Sequence, residues 1–277
     1  MPALVESGAI RDKLPRVFYN RMLYSWANAA GILLTMNARQ DVHNSDIPVL
    51  CRSCEARHRG VCGALNPDQL MMLSKQSSKY HAAAGEELIG DSEHVSNYSN
   101  ILAGVVKLSK MLPDGRQQIV GLQFAPDFLG RPFKSESELN AVAATGVSLC
   151  SFPKSAIDRM IKEVPQLEHR LLKQTLKELD EARDWMLTLG RKTAAEKVAS
   201  FLHLVATHID PEASIGSGPV VYDLPLTRAD IADFLGLTIE TVSRQMTRLR
   251  KEGVIEIEHN RQITIPDIGR LERHANI

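Results

Sequence analysis

Residues 226–253 read LTRADIADFLGLTIETVSRQMTRLRKEG, and this stretch decides the fold. Thr227 and Asp230 have the spacing of a capping box, which begins a helix. Gly236 permits a tight turn, and Thr238 can cap a second helix. Two short helices joined by a short turn that contains glycine form a helix-turn-helix. The stretch therefore predicts a helix-turn-helix domain.

Both predicted helices have apolar residues at helical spacing, which we expect to be buried. In the first helix these residues are Ile231, Phe234 and Leu235. In the second helix, which Gly253 ends, they are Ile239, Val242, Met246 and Leu249. Residues 254–265 then alternate as two strands around residues 259–261, which predicts the hairpin of a winged helix.

The polar face of the second helix has the chemistry of DNA recognition. Glu240, Ser243 and Arg244 project from the first two turns, the part of a recognition helix that contacts base edges. Arginine can bond both acceptors of guanine and glutamate can accept from cytosine, so Glu240 and Arg244 could contact one G·C pair. The remaining predicted DNA contacts are Thr238, Gln245 and Arg248, with Thr247, Arg250 and Lys251 as further phosphate-binding candidates. The alternative is a helical hairpin whose charges are only solvated.

Residues 86–152 contain many short apolar segments separated by turns. The sequence Pro113-Asp114-Gly115 is typical of a hairpin turn between two of them. Short strands at close spacing predict a small antiparallel barrel or roll.

After Pro153 the apolar residues take a helical period. They form a heptad seam whose members are Leu172, Thr175, Leu179, Ala182, Met186 and Leu189. The seam either packs on the roll of its own chain or pairs with a second copy, and we expect the second arrangement, with Asp184 at the interface. Four acidic residues crowd this helix, which predicts a marginal dimer; they are Glu178, Asp180, Glu181 and Asp184. A further helix is expected from about Thr193 to His208.

The four cysteines are distributed as a group of three and one distant residue. Cys51, Cys54 and Cys62 lie on one predicted loop, and Cys150 at a strand end could supply a fourth thiolate. Four thiolates suit either zinc or an iron–sulfur cluster, and His58 could replace one thiolate in a zinc site. Cysteines without a metal are the third possibility. This cysteine usage indicates a reducing compartment rather than a secreted disulfide scaffold.

Composition excludes several classes of protein. The chain has 277 residues with 33 basic and 33 acidic side chains, a length typical of two domains. Zero net charge excludes a protein that coats nucleic acid through bulk charge, although it permits one local basic face. We found no apolar run long enough for a membrane span and no catalytic or phosphate-loop motif, so we expect a cytoplasmic protein that is not an enzyme.

The order of these elements resembles the Crp/Fnr family of transcription regulators. Residues 237–244, LTIETVSR, are similar to the Fnr recognition helix. Residues 128–132, 181–192 and 223–228 resemble the FnrL subgroup, as does the cysteine spacing. The resemblance covers about residues 48–273. The gap between Cys54 and Cys62 is longer than in enteric Fnr, and the residues before the cysteine loop have no counterpart.

The resemblance implies an α+β fold with four parts. They are an N-terminal extension of unknown role (1–47), a cysteine loop with a β-roll like that of cyclic nucleotide-binding proteins (48–163), a dimerisation helix (164–190) and a winged helix-turn-helix domain (191–277). Residues 129–142 lack the glutamate after glycine and the later arginine of a nucleotide site, so we expect no cyclic nucleotide.

The resemblance also implies a function. An oxygen-labile [4Fe-4S] cluster on Cys51, Cys54, Cys62 and Cys150 would favour a homodimer that binds a palindrome of the type TTGAT-N4-ATCAA and contacts RNA polymerase. Oxygen would convert the cluster and the dimer would separate. Two alternatives stay open at this point. One is a regulator of the same family whose cysteines hold zinc or nothing and do not sense oxygen, and the other, more remote, is an iron–sulfur electron carrier.

Overall fold

The computed structural model describes residues 47–48, 51–52, 54–209 and 218–277. The expected N-terminal extension, apart from Ile47, lies outside these residues, as does most of the loop predicted after residue 209. No helix in the described part of the chain is long and apolar enough to cross a lipid bilayer.

The predicted roll is confirmed as two four-stranded antiparallel sheets. Its strands are β1 (Ser78–Ala82), β2 (Glu87–Ile89), β3 (Asn97–Ala103), β4 (Val105–Met111), β5 (Gln117–Phe124), β6 (Phe128–Leu129), β7 (Asn140–Ala143) and β8 (Val147–Pro153). The strand orders are β1-β8-β3-β6 and β2-β7-β4-β5. The predicted turn joins β4 to β5, where the Asp114 carboxylate accepts a hydrogen bond from the Arg116 backbone N–H at 3.1 Å. Strand β1 was not predicted, because four of its five side chains are exposed and it shows no apolar alternation.

The cysteine segment packs against the helices that follow the roll. It contains α1 (Glu55–His58), a 3-10 turn (Val61–Ala64) and α2 (Pro67–Ser74), and the roll is followed by α3 (Lys154–Glu163) and the long α4 (Pro165–Arg191). Val61 and Leu70 share a buried core with Phe152, Ile157 and Leu167. The cysteine loop is therefore seated on the start of α4.

The C-terminal part is a winged helix-turn-helix. Its elements are α5 (Ala194–Ile209), β9 (Val220–Asp223), α6 (Arg228–Leu235), α7 (Ile239–Lys251), β10 (Glu256–Glu258), β11 (Gln262–Ile265) and α8 (Ile268–Ala275). Thr227 and Asp230 form the predicted capping box, and Gly236 has the left-handed conformation (φ 62°, ψ 42°) that the tight turn requires. β10 and β11 form the predicted wing hairpin, to which β9 adds a third strand.

One predicted core residue of the recognition helix is not buried. Val242, Met246 and Leu249 are at most 2% exposed, whereas Ile239 is 48% exposed. Side chains in a helix point towards its N-terminus, so a residue in the first helical position projects beyond the helix end rather than onto its partner.

The roll and α4 both contribute to the core of the C-terminal part. Ile119 of β5 is 1% exposed within that core. Trp185 of α4 packs on Phe234 of α6, with ring centroids 4.5 Å apart. Gln118 donates a hydrogen bond to the Phe234 carbonyl at 3.1 Å. The first helix of the helix-turn-helix is thus held from two sides.

A partly buried ion pair reinforces this junction. Lys107 of β4 donates to the carboxylate of Asp230, the same residue that closes the capping box of α6. Burial alone would raise the pKa of Asp230, but hydrogen bonds from Lys107 and Thr227 outweigh it and hold the pKa below its ordinary 3.8. The stabilisation from this carboxylate is therefore complete above the unfolded pKa and is lost as the pH falls through the lower folded pKa.

We predict that Lys107→Met lowers the free energy of unfolding by about 1–3 kcal/mol at pH 7, because the Asp230 carboxylate loses its charged donor. The difference from wild type should shrink as the pH falls below about 4. Urea unfolding from pH 7 to pH 3 measures both effects. The exposed Lys110 of the same strand supplies the control, and a Lys110→Met loss of equal size would contradict the role of the ion pair.

Candidate functional site

The recognition helix α7 begins with the predicted cap and presents the predicted side chains. Thr238 Oγ1 accepts a hydrogen bond from the Thr241 backbone N–H at 3.2 Å. Glu240, Ser243 and Arg244 are exposed. Hydrogen bonds from its own backbone N–H and from Thr238 hold the pKa of Glu240 below its ordinary value, so this carboxylate is an acceptor at neutral pH.

Two other predicted DNA contacts are placed differently. Gln245 is half-buried, and its Oε1 is buried without a hydrogen-bond partner within the described part of the chain, so this side chain is turned partly away from the exposed face. Arg248 is exposed but forms an ion pair with Glu252 at 2.8 Å.

Arg228, which the sequence reasoning did not include in the DNA-contacting set, lies at the first position of α6. Its Nη1 is buried without a hydrogen-bond partner among the described residues, and burial lowers the pKa of its guanidinium. A guanidinium can bind a phosphate group through two parallel N–H donors, so Arg228 is a candidate phosphate contact.

The second candidate site contains the cysteines. Cys51, Cys54, Cys62 and Cys150 all line one cavity of about 30 Å³. Cys62 is buried and the other three are half-buried. Cys150 joins the loop cysteines because β8 pairs with β1 and β3, which sets Cys150 opposite both Lys79 and Asn100.

The surroundings of the thiols favour the protonated form in the absence of a metal. Burial, and then the neighbouring Cys54 and Cys150, raise the pKa of Cys51 to about 11. Burial raises the pKa of Cys62 to about 12, although a hydrogen bond from Asn100 opposes the change. Binding of a metal or cluster to these thiolates therefore releases protons.

Cationic and polar groups line the same cavity. Arg57 and Lys79 both lie on its wall, and Lys79 lowers the pKa of Cys51 and Cys150 by its charge. His58, the predicted substitute for a thiolate, is not among the lining residues, and its Nε2 is buried without a hydrogen-bond partner in the described ranges.

The cysteine loop is fixed to the roll and to α4 by close contacts. Gly60 lies where a Cβ would come within 2.9 Å of both Ala56 and the Pro126 carbonyl oxygen, so only glycine fits there. Arg170 of α4 donates a hydrogen bond to the Arg59 carbonyl at 3.0 Å. The cysteine loop therefore contacts the first turns of α4 directly.

Within the described residues, no group of three or more His, Cys, Asp or Glu side chains is arranged to hold a single metal ion. A zinc site needs its sulfurs about 2.3 Å from one centre. In a [4Fe-4S] cluster the thiolates bind separate irons, and four cysteines are its usual ligand set. The four cysteines that line the cavity are the number and kind of ligand that a [4Fe-4S] cluster uses, and four thiolates also suit zinc.

The predicted seam of α4 is exposed rather than packed on the roll. Leu172, Leu179 and Met186 are 54%, 44% and 72% exposed, and Thr175, Ala182 and Asp184 are exposed as well. Leu189 is half-buried. The arrangement in which the seam packs on its own roll is therefore wrong, and an apolar stripe is left uncovered on the long helix.

The acidic crowding of α4 is weaker than its sequence indicates. Asp180 pairs with Arg183 at 3.3 Å and Glu181 pairs with Lys177 at 3.3 Å, both within the same helix. Because neighbouring cations offset two of the four acids, the expected repulsion between two copies is smaller. Trp185, which lies three residues after Ala182 and borders the seam, packs on Phe234 of the helix-turn-helix.

Comparison with known proteins agrees with these features. The family model of a Crp-like helix-turn-helix domain matches residues 196–274, and that of a cyclic nucleotide-binding domain matches residues 80–164. A probable transcriptional activator from Rhizobium leguminosarum bv. viciae is 59% identical over 236 residues, covering 85% of this chain and 97% of the relative. The chain is a Crp/Fnr-family transcription regulator.

Named members of the family are also similar. The transcriptional activator protein FnrL of Cereibacter sphaeroides is 39% identical over 229 residues, covering 81% of this chain and 91% of the relative. The solved structure of FixK2 from Bradyrhizobium japonicum has a TM-score of 0.63 and 32% identity, covering 71% of this chain and 96% of that one. Crp/Fnr regulators bind DNA and typically act as dimers.

The match to a cyclic nucleotide-binding domain confirms the fold of the roll. That this Crp/Fnr regulator binds no cyclic nucleotide stays a prediction. The domain boundaries, the DNA-contacting residues and the cysteine ligands likewise stay predictions.

Sequence reasoning missed Asn100 and Lys79, which both face the cysteine cavity. One usable signal is the two-residue period of a strand: Asn100 lies two residues after Tyr98 and thus on the same face of β3, which packs against the cysteine segment. Lys79 carried no such signal, because its strand is mostly exposed.

Proposed function

We propose that this Crp/Fnr regulator is an oxygen-responsive activator whose homodimer binds a palindrome of the type TTGAT-N4-ATCAA. In this proposal Cys51, Cys54, Cys62 and Cys150 hold a [4Fe-4S] cluster. The observation that carries this proposal is that all four cysteines line one cavity, and this cavity lies beside the start of α4.

The residues around the cavity fit such a group. Four cysteine sulfurs are present, and Arg57 and Lys79 supply positive charge that offsets thiolate charge. When bound, the cluster would supply a centre that oxygen can destroy. The chain itself would hold the loop in one conformation through the four thiolates.

The coupling from the cysteines to DNA follows packed contacts. The loop rests on Leu167 and is bonded to Arg170, both near the start of α4. The same helix carries the uncovered seam and, near its end, Trp185 against Phe234 of the helix-turn-helix. If four thiolates hold the cysteine loop in one conformation, the loop in turn holds α4 in place, and α4 is the helix that would pair the two copies.

The exposed face of α7 would make the sequence-specific contacts with DNA. Arg244 and Glu240, one turn apart, would bond the guanine and the cytosine of one base pair, and Ser243 would contact a neighbouring base. Arg228 and the basic end of α7 would bind phosphates and set the register. RNA polymerase is the expected protein partner of the complex on DNA.

Metal content tests the cluster. We expect about four irons and four acid-labile sulfides per chain in anaerobically purified protein, lost on exposure to air. Cys150→Ser should prevent assembly, because one of the four ligands is removed, whereas Ser148→Ala on the same strand should retain the full iron content. Zinc without sulfide, or no metal, would overturn oxygen sensing while leaving the DNA-binding proposal intact.

We predict that Arg244→Ala weakens binding to the palindrome by about 1–3 kcal/mol and relaxes the preference at one base pair. Arg248→Ala should weaken binding to all sequences alike and reduce its salt dependence, because a phosphate contact carries no sequence information. Titrations of a labelled duplex and of single-base variants at two salt concentrations separate the two patterns. Uniform weakening by Arg244→Ala would refute its role as a base reader.

The dimer prediction concerns the seam of α4. Met186→Glu should weaken self-association at least about tenfold, since each copy loses about 1.5–3 kcal/mol of apolar burial. Sedimentation velocity over a concentration series of the anaerobic protein measures this change. Met72→Glu is the matched control, because Met72 is also exposed (55%) but lies on α2, and equal weakening by both variants would argue against the seam.

A further inference from the structure

Asn100 is the polar residue that the proposed function leaves unexplained. It lies in β3 and is 1% exposed. The strand pairing sets it opposite Cys150 on one side and Phe128 on the other. An amide buried on a sheet, between a thiol and an aromatic ring, needs a specific polar partner.

The partner of Asn100 is a cysteine. Its Nδ2 donates a hydrogen bond to the Sγ of Cys62 at 3.2 Å, which links the cysteine loop to the roll. Its Oδ1 is buried without a hydrogen-bond partner among the described residues. Asn100 also lines the cavity that the four cysteines share, so its amide belongs to this site.

The buried amide of Asn100 does not add to the stability of the fold as an apolar side chain would. An apolar side chain of similar shape would fill the same space without leaving a buried oxygen unpaired. A hydrogen bond to a thiolate is stronger than one to a neutral thiol, because the acceptor is charged. The amide therefore gains most when Cys62 is a thiolate, which is its state as a metal ligand.

We propose that Asn100 is a positioning residue for the cluster, which fixes Cys62 and tunes the stability of the cluster towards oxidation. The inference rests on the proposed function. An N–H bond to a ligand sulfur withdraws electron density from it, and such bonds are among the groups that set cluster reduction potentials. Removal of the bond should lower the reduction potential, so that the cluster is oxidised more readily.

The test compares two buried amides of the same roll. Asn100→Leu removes the N–H donor with little change in shape, and Asn100→Ala does so with a smaller side chain where leucine does not fit. Gln123→Met is the matched control, because Gln123 is also buried (8% exposed), has an Oε1 with no hydrogen-bond partner in the described part of the chain, and does not line the cavity.

Three quantities are measured on anaerobically purified protein. They are iron and sulfide content, the reduction potential of the cluster, and the rate at which its visible absorption decays after addition of a fixed amount of air-saturated buffer. Urea unfolding of the metal-free proteins provides the structural comparison. We expect the Asn100 variants to lose absorption roughly two- to tenfold faster than wild type, with a lower potential, and Gln123→Met to match wild type.

The outcomes separate the two proposals. A cluster in wild type together with unchanged potential and decay rate in the Asn100 variants would overturn the role of Asn100 and leave the proposed function standing. Equal acceleration in Gln123→Met would also overturn it, since the effect would then follow from any lost buried amide. Wild-type protein without iron and sulfide would overturn both proposals. Asn100 variants that fold like Gln123→Met but assemble no cluster would support a stronger positioning role.

Discussion

The rest of the structure depends on α4, because the two ends of this one helix lie in two different cores. Leu167 near its start is buried with the residues that carry the cysteine loop. Trp185 packs on Phe234 of the helix-turn-helix. Eighteen residues of continuous helix, roughly 27 Å, separate these contacts. The uncovered seam lies along the same helix, so cysteine site, self-association and DNA-binding part share one rigid element.

The two ends of α4 are held by different kinds of interaction. At the DNA-binding end, Ile119 and Trp185 lie in or against a large apolar core, and the ion pair between Lys107 and Asp230 adds to it. At the cysteine end, the loop is held by a smaller core and by directional hydrogen bonds from Arg170 to backbone carbonyls. The cysteine end is therefore the end at which the proposed control by oxygen would act.

The elements that the sequence predicted well are those whose signals are local. The capping box of α6, the left-handed Gly236 and the cap of α7 each depend on residues within one helical turn. Ile239 was predicted wrongly because apolar spacing does not show where a helix extends past its partner. Strand β1 escaped prediction because its side chains are mostly exposed, and its position is set by pairing with β8.

The sequence by itself determined the helix-turn-helix, the roll and the candidate ligands, since caps, turns and apolar periods are properties of neighbouring residues. Only the tertiary structure decided which candidates meet. Cys150 joins the loop cysteines through the pairing of β8 with β1 and β3, and the same pairing brings in Asn100 and Lys79. It also decided that the α4 seam is exposed while Trp185 is turned inward. Contacts between distant segments depend on how whole faces pack, and no short stretch of sequence contains that information.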